Sequence, residues 1–198
     1  QLRRLRERLR IAPALVRIAP SRAGAAVDVR DPAGAGDPDG RTRGIAIHRL
    51  LEGLSAAPPR GRTHLLTDIA RELQRDVADP ELLSWLQEAE AVTQDPVLAP
   101  LFDAARYERA YAEVPLHYCA DGALVDGIVD RLLLHPHEAH VIDYKTHAIA
   151  ADQAEATARH YRDQLRLYAE GARRLWPDRC VRASILFTRC RTLVDLEV

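Results

Sequence analysis

The sequence predicts an α/β fold in which a mixed central sheet is flanked by helices, with a helical part at the N-terminal end. Up to about residue 111, apolar residues recur at the spacing of amphipathic helices. After that point, short segments rich in apolar residues alternate with turn signals, and one long helical pattern separates them from two final strands. Helices followed by hairpins, one helix and further strands are typical of an α/β layer with a mixed sheet.

The first 40 residues are expected to form a helical and linker segment. Leu2, Leu5 and Leu9 recur at helical spacing with Arg between them, which predicts a basic helix in residues 1–19. Such a helix could touch phosphate, or it could be a solvated surface helix or pack on a neighbouring domain. Residues 31–40 are rich in Pro, Gly and Asp and are predicted to be a flexible loop, neither helix nor strand. Because the chain begins with Gln and contains no Met, we expect a piece of a longer polypeptide.

The remaining elements are predicted in order from periodicity and turn residues. Helices are expected over residues 44–54, 63–76, 80–93 and 96–111. Strands are expected over residues 112–118, 124–134 and 140–144, with a turn at Asp121-Gly122 and a hairpin tip at residues 135–139. A long helix over residues 150–175, closed by Pro177, precedes strands at 181–188 and 193–198.

The composition limits the function classes. The net charge is −1, so no global field draws the chain to nucleic acid or to a membrane, and contacts with nucleic acid would come from local patches. Three cysteines without Cys-x-x-Cys spacing argue against a structural zinc site and a disulfide framework, and they suit the reducing cytoplasm. We expect no membrane association, because no apolar run is long enough to span a bilayer.

Lys145 is the only lysine, whereas the other basic residues are all Arg. It lies two residues after Asp143. Residues i and i+2 of a strand face the same way, roughly 7 Å apart, so a carboxylate and an ammonium would share one face. Such a pair can help to hold a divalent cation and orient a water beside it, and an Arg cannot supply the same compact charge. With 29 acidic residues in the chain, this spacing also arises readily by chance, so the surrounding residues decide.

Asp130 interrupts an apolar run over residues 127–134 that otherwise resembles a buried strand. A buried carboxylate is costly unless it is paired or bound to metal. One interpretation is a salt bridge to Arg131 or another Arg. The other is a metal site, because antiparallel strands lie roughly 5 Å apart and Asp130 could converge with Asp143 on one cation. Carboxylate ligands with open positions favour Mg²⁺ or Mn²⁺ over a closed zinc site.

Five motifs occur in order along the chain: Gly44-x-x-x-His48-Arg49-x-Leu51-Glu52, Glu113-Val114-Pro115, Gly127-x-x-Asp130-Arg131, Ile142-Asp143-Tyr144-Lys145-Thr146 and Tyr161-x-x-Gln164-Leu165-x-x-Tyr168. The acidic residues and lysine of the third and fourth are similar to the PD-(D/E)xK nuclease signature. Together the five motifs resemble the RecB-family nuclease domain, which lies at the C-terminus of UvrD-like helicases in RecBCD- and AddAB-type exonucleases. The resemblance covers about residues 40–198 and implies a restriction-endonuclease-like fold, with the nuclease domain over residues 41–198.

The resemblance implies a metal-binding or catalytic role for five residues. Asp130 and Asp143 would ligate the catalytic metal, together with His48 and the backbone carbonyl of Tyr144. Lys145 would orient or deprotonate the attacking water and offset the charge that develops on the phosphate. His48 taken alone is typical of an ordinary amphipathic helix, so its role depends on the joint occurrence of the motifs.

Four further residues are implied, one that assists catalysis and three that support the site. Glu113 would assist at the metal or through a water. Tyr161, Gln164 and Tyr168 fall at i, i+3 and i+7, so they would share one helix face that borders the active site and meets the DNA backbone. The two tyrosines alone are typical core aromatics, but a Gln within a core stripe needs polar partners.

The resemblance also implies cofactors, partners and a biological role. The cofactor would be Mg²⁺, with Mn²⁺ able to substitute, and neither zinc nor an iron–sulfur cluster is expected, because three cysteines fall short of a four-cysteine cluster. The partners would be DNA, a helicase motor in the same parent chain and a second subunit of a helicase–nuclease acting in double-strand-break repair and recombination. With Lys145 as the only lysine there is no Gly-x-x-x-x-Gly-Lys-[Ser/Thr] motif, so no ATPase is expected here.

Three alternatives stay open from the residues. The first is a non-catalytic DNA-binding or scaffolding module of the same fold, against which the intact acidic pair and lysine argue. The second is a stand-alone nuclease of the same superfamily, against which the missing Met and the Arg-rich leading segment argue. The third is a metal-dependent hydrolase of another substrate.

Overall fold

The computed structural model of the chain describes residues 16–22, 38–56 and 61–198. These residues form a six-stranded mixed sheet with helices packed on both faces, so the predicted α/β class is confirmed. Most of the basic helix predicted in residues 1–19 and of the loop predicted over residues 31–40 lies outside this part of the chain. Within it, no helix is both long and apolar enough to cross a membrane.

The elements follow one another with short connections. The helices are α1 (Pro38–Ala56), α2 (Arg62–Glu72), α3 (Pro80–Gln94), α4 (Ala99–Phe102), α5 (Ala154–Ala158) and α6 (Arg162–Leu175). The strands are β1 (Val16–Ile18), β2 (Arg109–Ala120), β3 (Ala123–Leu134), β4 (Glu138–Lys145), β5 (Cys180–Phe187) and β6 (Thr192–Leu196). Short 3-10 turns lie at Pro20–Arg22, Ala104–Arg106, Ala151–Gln153 and Arg159–Tyr161.

Strand β3 has three partners and leaves an opening between two of them. β2 pairs antiparallel with one edge of β3 over most of its length. On the other edge, β1 pairs in parallel with residues 123–125 and β4 pairs antiparallel with residues 131–134. β5 continues the sheet parallel to β4, and β6 closes it antiparallel to β5. On the edge that β1 and β4 share, residues 126–130 pair with none of the described strands.

Two apolar clusters hold the helices on the two faces of the sheet. The first cluster packs α1, α2 and α3 against one face, through side chains such as Ile47, Trp85 and Ile142. The second cluster packs α5 and α6 against the other face, through side chains such as Leu165 and Ile185. Each fully buried side chain of this size contributes about 1.5–3 kcal/mol, so this packing fixes α1 and α6 relative to the sheet between them.

The single helix predicted over residues 96–111 is wrong. α4 has only four residues, a 3-10 turn follows it, and β2 already begins at Arg109. The side chain of Asp103 accepts a hydrogen bond from the N–H of Ala105, which starts a new turn in place of a continuous helix. β2 begins early because it pairs with β3 as far as Leu134, and this pairing overrides the local helical spacing.

Three other boundaries differ from the prediction. The helix predicted over residues 150–175 is divided into α5 and α6 by the 3-10 turn at Arg159–Tyr161. Residues 38–40, predicted as loop, are the first turn of α1, where a Pro is tolerated because the first N–H groups of a helix have no partner within it. Val16–Ile18, within the segment predicted as a basic helix, is a strand because it pairs with β3.

Candidate active site

Strands β2 and β3 exchange the faces of their side chains halfway along. On β2, Val114 packs in the second cluster and Ala110 in the first, although residues four apart on a regular strand face the same way. On β3, Val129 packs in the second cluster and Leu133 in the first. The exchange falls between these positions on both strands, beside the opening left by β1 and β4.

Glu113 and Asp130 occupy the point of exchange. The pairs on either side, residues 112 with 131 and 114 with 129, place the two carboxylates opposite each other. Glu113 has a φ of 50°, a left-handed conformation that costs a non-glycine residue roughly 1–3 kcal/mol. Burial raises the pKa of Glu113, and the charge of Asp130 raises it further. A strained carboxylate facing a second carboxylate is unfavourable for folding, and a cation between them would offset the repulsion.

His48 reaches both carboxylates from α1. Ile47 and Leu51 are fully buried in the first cluster, and their packing directs the neighbouring His48 to the opening. Its Nδ1 lies 3.3 Å from Oδ1 of Asp130 and 4.0 Å from Oε1 of Glu113. Burial by itself lowers the pKa of His48, but the attraction of Asp130 and the other carboxylates outweighs it, and the pKa is raised.

Asp130 also joins β3 to β4 where their backbone ladder stops. Beyond the last backbone pair at Arg131, Oδ2 of Asp130 accepts a hydrogen bond of 2.6 Å from the N–H of Tyr144. The ring of Tyr144 is buried and lies edge-on to His48, with 5.5 Å between the ring centroids. Arg131 turns away from Asp130, and its Nε donates to the carbonyl of Leu101 at 2.6 Å. Asp130 is therefore placed by the strand fork and not by a salt bridge to its neighbour.

Asp143 and Lys145 lie on one face of β4, at the spacing that the sequence predicts. Nζ of Lys145 lies 2.8 Å from Oδ2 of Asp143 and donates to Oε1 of Gln164 at 3.1 Å. The amide Nε2 of Gln164 donates to Oδ1 of Asp143 at 2.8 Å, which closes a ring of three side chains. Oδ2 of Asp143 is thus occupied by the ion pair with the ammonium, while Oδ1 accepts the hydrogen bond of the amide.

Burial and the ion pair have opposite effects on the pKa values of Asp143 and Lys145. Burial raises the pKa of Asp143, and the charge of Lys145 acts against that rise. Burial alone would lower the pKa of Lys145, but the attraction of Asp143 outweighs it, and the pKa of the ammonium is raised. The ion pair with Asp143 therefore favours the ammonium form of Lys145.

Two tyrosines complete the α6 side of the site. Tyr161 lies in the 3-10 turn before α6, and the centroid of its ring is 4.3 Å from Nζ of Lys145, a cation–π contact. The hydroxyl of Tyr168 lies 3.3 Å from Nε2 of Gln164. Although the predicted helix is divided, the two tyrosines and Gln164 all lie beside the strand that carries Asp143 and Lys145.

A divalent cation fits the acidic end of the site. The ligand atoms of His48, Glu113 and Asp130 lie within 4.8 Å of one another. Asp143, expected to converge with Asp130 on one cation, contacts Lys145 of β4 and Gln164 of α6, and the charges of Asp130 and His48 also act on it. Carboxylate oxygens with one imidazole nitrogen suit Mg²⁺ or Mn²⁺.

A second polar network, which sequence patterns did not indicate, lies behind the lysine. It consists of Arg43 from α1, Glu88 from α3 and Thr188 after β5. The available signal was the position of Glu88 on its helix. It lies three residues after Trp85 and four before Val92, both buried, so a carboxylate interrupts the apolar stripe of α3.

The chain is similar to one family of known proteins. The model of that family, described as the PD-(D/E)XK nuclease superfamily, matches residues 22–197. None of the curated proteins matches the chain. A solved structure described as the crystal structure of SSO0001 is 12% identical, over 99% of this chain and 74% of that chain, with a TM-score of 0.34. Similarity at that level supports no statement about function.

Proposed function

The chain belongs to the PD-(D/E)XK nuclease superfamily, whose members hydrolyse phosphodiester bonds, and we propose that it is a metal-dependent DNA exonuclease domain of the RecB type. The five motifs in RecB order support this more specific assignment. On the same ground we propose that residues 41–198 form the nuclease domain and that residues 1–40 lead from a helicase part of the parent chain.

The meeting of His48, Asp130, Asp143 and Lys145 at one opening of the sheet carries the proposal. These side chains come from α1, β3 and β4 and are mostly buried, with perturbed pKa values for the histidine, the lysine and Asp143. Buried charges of this kind stabilise a fold poorly, and groups with perturbed pKa values cluster at functional sites. A cluster of carboxylates with too few cationic side chains beside it to balance its charge is suited to bind a metal.

We propose which residues bind the metal at the acidic end of the site. His48, Glu113 and Asp130 would hold the cation, with Asp143 and the carbonyl of Tyr144 as further ligands. When bound, a divalent cation supplies a Lewis acid for the phosphate and lowers the pKa of a coordinated water.

The remaining residues would act on the phosphate and the water. The ammonium of Lys145 would orient the water and offset the charge that develops on the phosphate. Gln164 would hold Lys145 and Asp143 in their relative positions, because its amide bonds to both. Tyr161 and Tyr168 would border the site and meet the DNA backbone.

The proposed partners are DNA, a helicase motor in the same parent chain and a second subunit, in a cytoplasmic complex that acts in double-strand-break repair and recombination. The net charge of −1 agrees with this, because phosphate neutralisation supplies most non-specific DNA affinity and the domain alone would bind DNA weakly. A helicase motor that feeds the DNA strand to the site would compensate for this weak DNA binding.

The test is cleavage of linear single-stranded and double-stranded DNA, and of covalently closed circles, in Mg²⁺, Mn²⁺ or EDTA. We expect cleavage of linear DNA with either metal and none in EDTA. Closed circles should remain intact, because an exonuclease needs an end. Cleavage of closed circles as fast as of linear DNA would overturn the exonuclease assignment.

The same assay with Lys145 variants tests the site. Lys145→Ala should abolish cleavage, and Lys145→Arg should fail as well, because a planar guanidinium cannot replace the compact charge beside Asp143 and Gln164. Thermal unfolding of each variant checks that the fold persists. Normal cleavage by folded Lys145→Ala would rule out the proposed site.

A further inference from the structure

We propose that Glu88 is a positioning residue for Lys145. Through Arg43 and Thr188, it would fix the backbone at Lys145 and Thr146 and so place the ammonium group in the site. This inference rests on the proposed nuclease function, and it adds a residue from α3, a helix that contributes none of the motif residues.

One arm of the network runs from Glu88 through Thr188 to Lys145. Oγ1 of Thr188 donates a hydrogen bond of 2.6 Å to Oε1 of Glu88. The backbone N–H of Thr188 donates to the carbonyl of Lys145 at 3.0 Å. Thr188 is fully buried, so Glu88 fixes the rotamer of a side chain whose own backbone holds Lys145.

The other arm runs from Glu88 through Arg43 to the next peptide. One guanidinium nitrogen of Arg43 donates to Oε2 of Glu88 and another donates to the carbonyl of Thr146. The side chains of Arg43 and Glu88 are 11% and 17% exposed. The planar fork of an Arg fixes two acceptors relative to each other, which makes the contact geometrically specific.

The network begins where the sheet ends. Lys145 is the last residue of β4, and its pairing with Phe187 is the last of the parallel ladder with β5. Beyond that pair the sheet no longer restrains the chain, although Nζ of Lys145 must stay near Asp143 and Gln164. The backbone N–H of Thr188 holds the carbonyl of Lys145, and the side chain of Arg43 holds the carbonyl of Thr146, so the restraint continues where the ladder ends.

A purely stabilising role explains the network less well. Glu88 lies in the apolar stripe of α3, and replacing a buried ion pair by apolar residues is often neutral or stabilising. What an apolar residue cannot do is bond two specified donors, from Arg43 and Thr188, and so hold two successive carbonyls. The buried carboxylate of Glu88 is therefore better explained by the positions that it imposes on Arg43 and Thr188.

The single lysine makes the test direct. In protein grown with lysine carrying ¹³C at Cε, one lysine resonance reports Lys145 alone. Glu88→Gln is compared with Glu90→Gln, a matched control on the same helix whose carboxylate pairs with Arg62 at 3.1 Å, away from the lysine. We expect Glu88→Gln to shift or broaden the lysine resonance and Glu90→Gln to leave it in place.

The kinetic expectation follows from misplacement of one catalytic group. Glu88→Gln should lower kcat roughly ten- to hundredfold with KM nearly unchanged, because small displacements remote from the chemistry cost up to about 10²-fold in rate. Thr188→Val, which keeps the side-chain volume and removes the hydroxyl, should act in the same direction if Glu88→Gln fails to fold.

The two readouts separate this inference from the function on which it rests. An unmoved lysine resonance in folded Glu88→Gln or Thr188→Val would overturn the positioning role. A loss of kcat that Glu90→Gln shares equally would also overturn it. A wild-type protein that cleaves no DNA, with a lysine resonance that still responds to Glu88→Gln but not to Glu90→Gln, would contradict the proposed function and leave the positioning of Lys145 supported.

Discussion

Among single residues, Glu113 shows most clearly that the site is built at the expense of stability. Its left-handed backbone is unfavourable for a Glu, and its carboxylate faces that of Asp130. Gln74, at the C-terminal end of α2, has a similar φ of 55° but lies outside the site. The two residues share the backbone conformation and differ in their surroundings. Comparing them therefore separates the effect of backbone strain from a role in the reaction.

Replacing each of them with Gly should therefore give different results. Glu113→Gly and Gln74→Gly should both raise the free energy of unfolding by about 1 kcal/mol, because glycine adopts a positive φ without strain. Only Glu113→Gly should also lower cleavage, by roughly tenfold or more, a loss of about 1.4 kcal/mol in transition-state stabilisation. Urea unfolding and the cleavage rate measure the two effects. Unchanged cleavage in Glu113→Gly would remove this residue from the site.

Local periodicity predicts some residues of the site and not others. The contact of Asp143 with Lys145 follows from the two-residue period of a strand, and the placement of Gln164 follows from the face of a helix. The contacts of Glu88 with Arg43 and Thr188 span 45 and 100 residues. No local pattern carries that information, since those partners meet only when α1, α3 and the end of β5 are packed together.

Among the elements, the fork between β3 and β4 decides where the site lies. The carboxylate of Asp130 accepts the hydrogen bond of Tyr144 N–H that a neighbouring strand would otherwise accept. The strands can separate there without leaving a buried N–H unpaired, and the side chain that allows this is itself a proposed metal ligand. One carboxylate thus serves both the fold and the chemistry.

This double role predicts a difference between two variants that both remove the charge. Asp130→Asn retains an oxygen acceptor for Tyr144 N–H, whereas Asp130→Ala leaves it unpaired. The Ala variant should therefore be less stable than the Asn variant by about 1–3 kcal/mol. Both should lack metal-dependent cleavage. Equal stability of the two variants in denaturant unfolding would show that this hydrogen bond does not hold the fork.

The sequence predicts the strands and most helices but misjudges segments whose structure depends on distant partners. Residues 96–111 have helical spacing, yet the pairing of Arg109 with Leu134 draws the end of that segment into the sheet. The division of residues 150–175 into two helices is likewise not predicted by the sequence, because no Pro or Gly stands at the point of division. Its effect is to place Tyr161 in a turn beside Lys145.

At the scale of the whole molecule, a polar chain that is buried at His140 and Ser184 and reaches the surface at Asp195 links β4, β5 and β6. Nε2 of His140 on β4 lies 2.6 Å from Oγ of Ser184 on β5, and that hydroxyl donates at 2.6 Å to Oδ1 of Asp195 on β6. Burial, with a contribution from Arg182, lowers the pKa of His140 to about 4 from 6.5. His140 is therefore neutral in the folded protein at neutral pH.

This histidine predicts a loss of stability in acid. Above pH 6.5 neither state binds the proton, so His140 contributes no pH dependence. As the pH falls from 6.5 towards 4, His140 binds a proton in the unfolded state but not in the folded state. The free energy of unfolding therefore falls by on the order of 3 kcal/mol. His140→Gln should lose less stability over this range. Unfolding curves at pH 7 and 4.5 with equal losses for both proteins would contradict the buried, neutral histidine.

The claim on which the others depend is that the acidic group beside Lys145 is the site of metal-dependent DNA cleavage. The most direct test is the rate of linear DNA cleavage as a function of Mg²⁺ concentration, for the wild-type protein and for Asp143→Asn. We predict cleavage that rises with Mg²⁺ and saturates in the wild type, and a loss of at least about 10³-fold in the variant, whose fold persists. Cleavage by Asp143→Asn at the wild-type rate, or cleavage by the wild type that continues in EDTA, would contradict it.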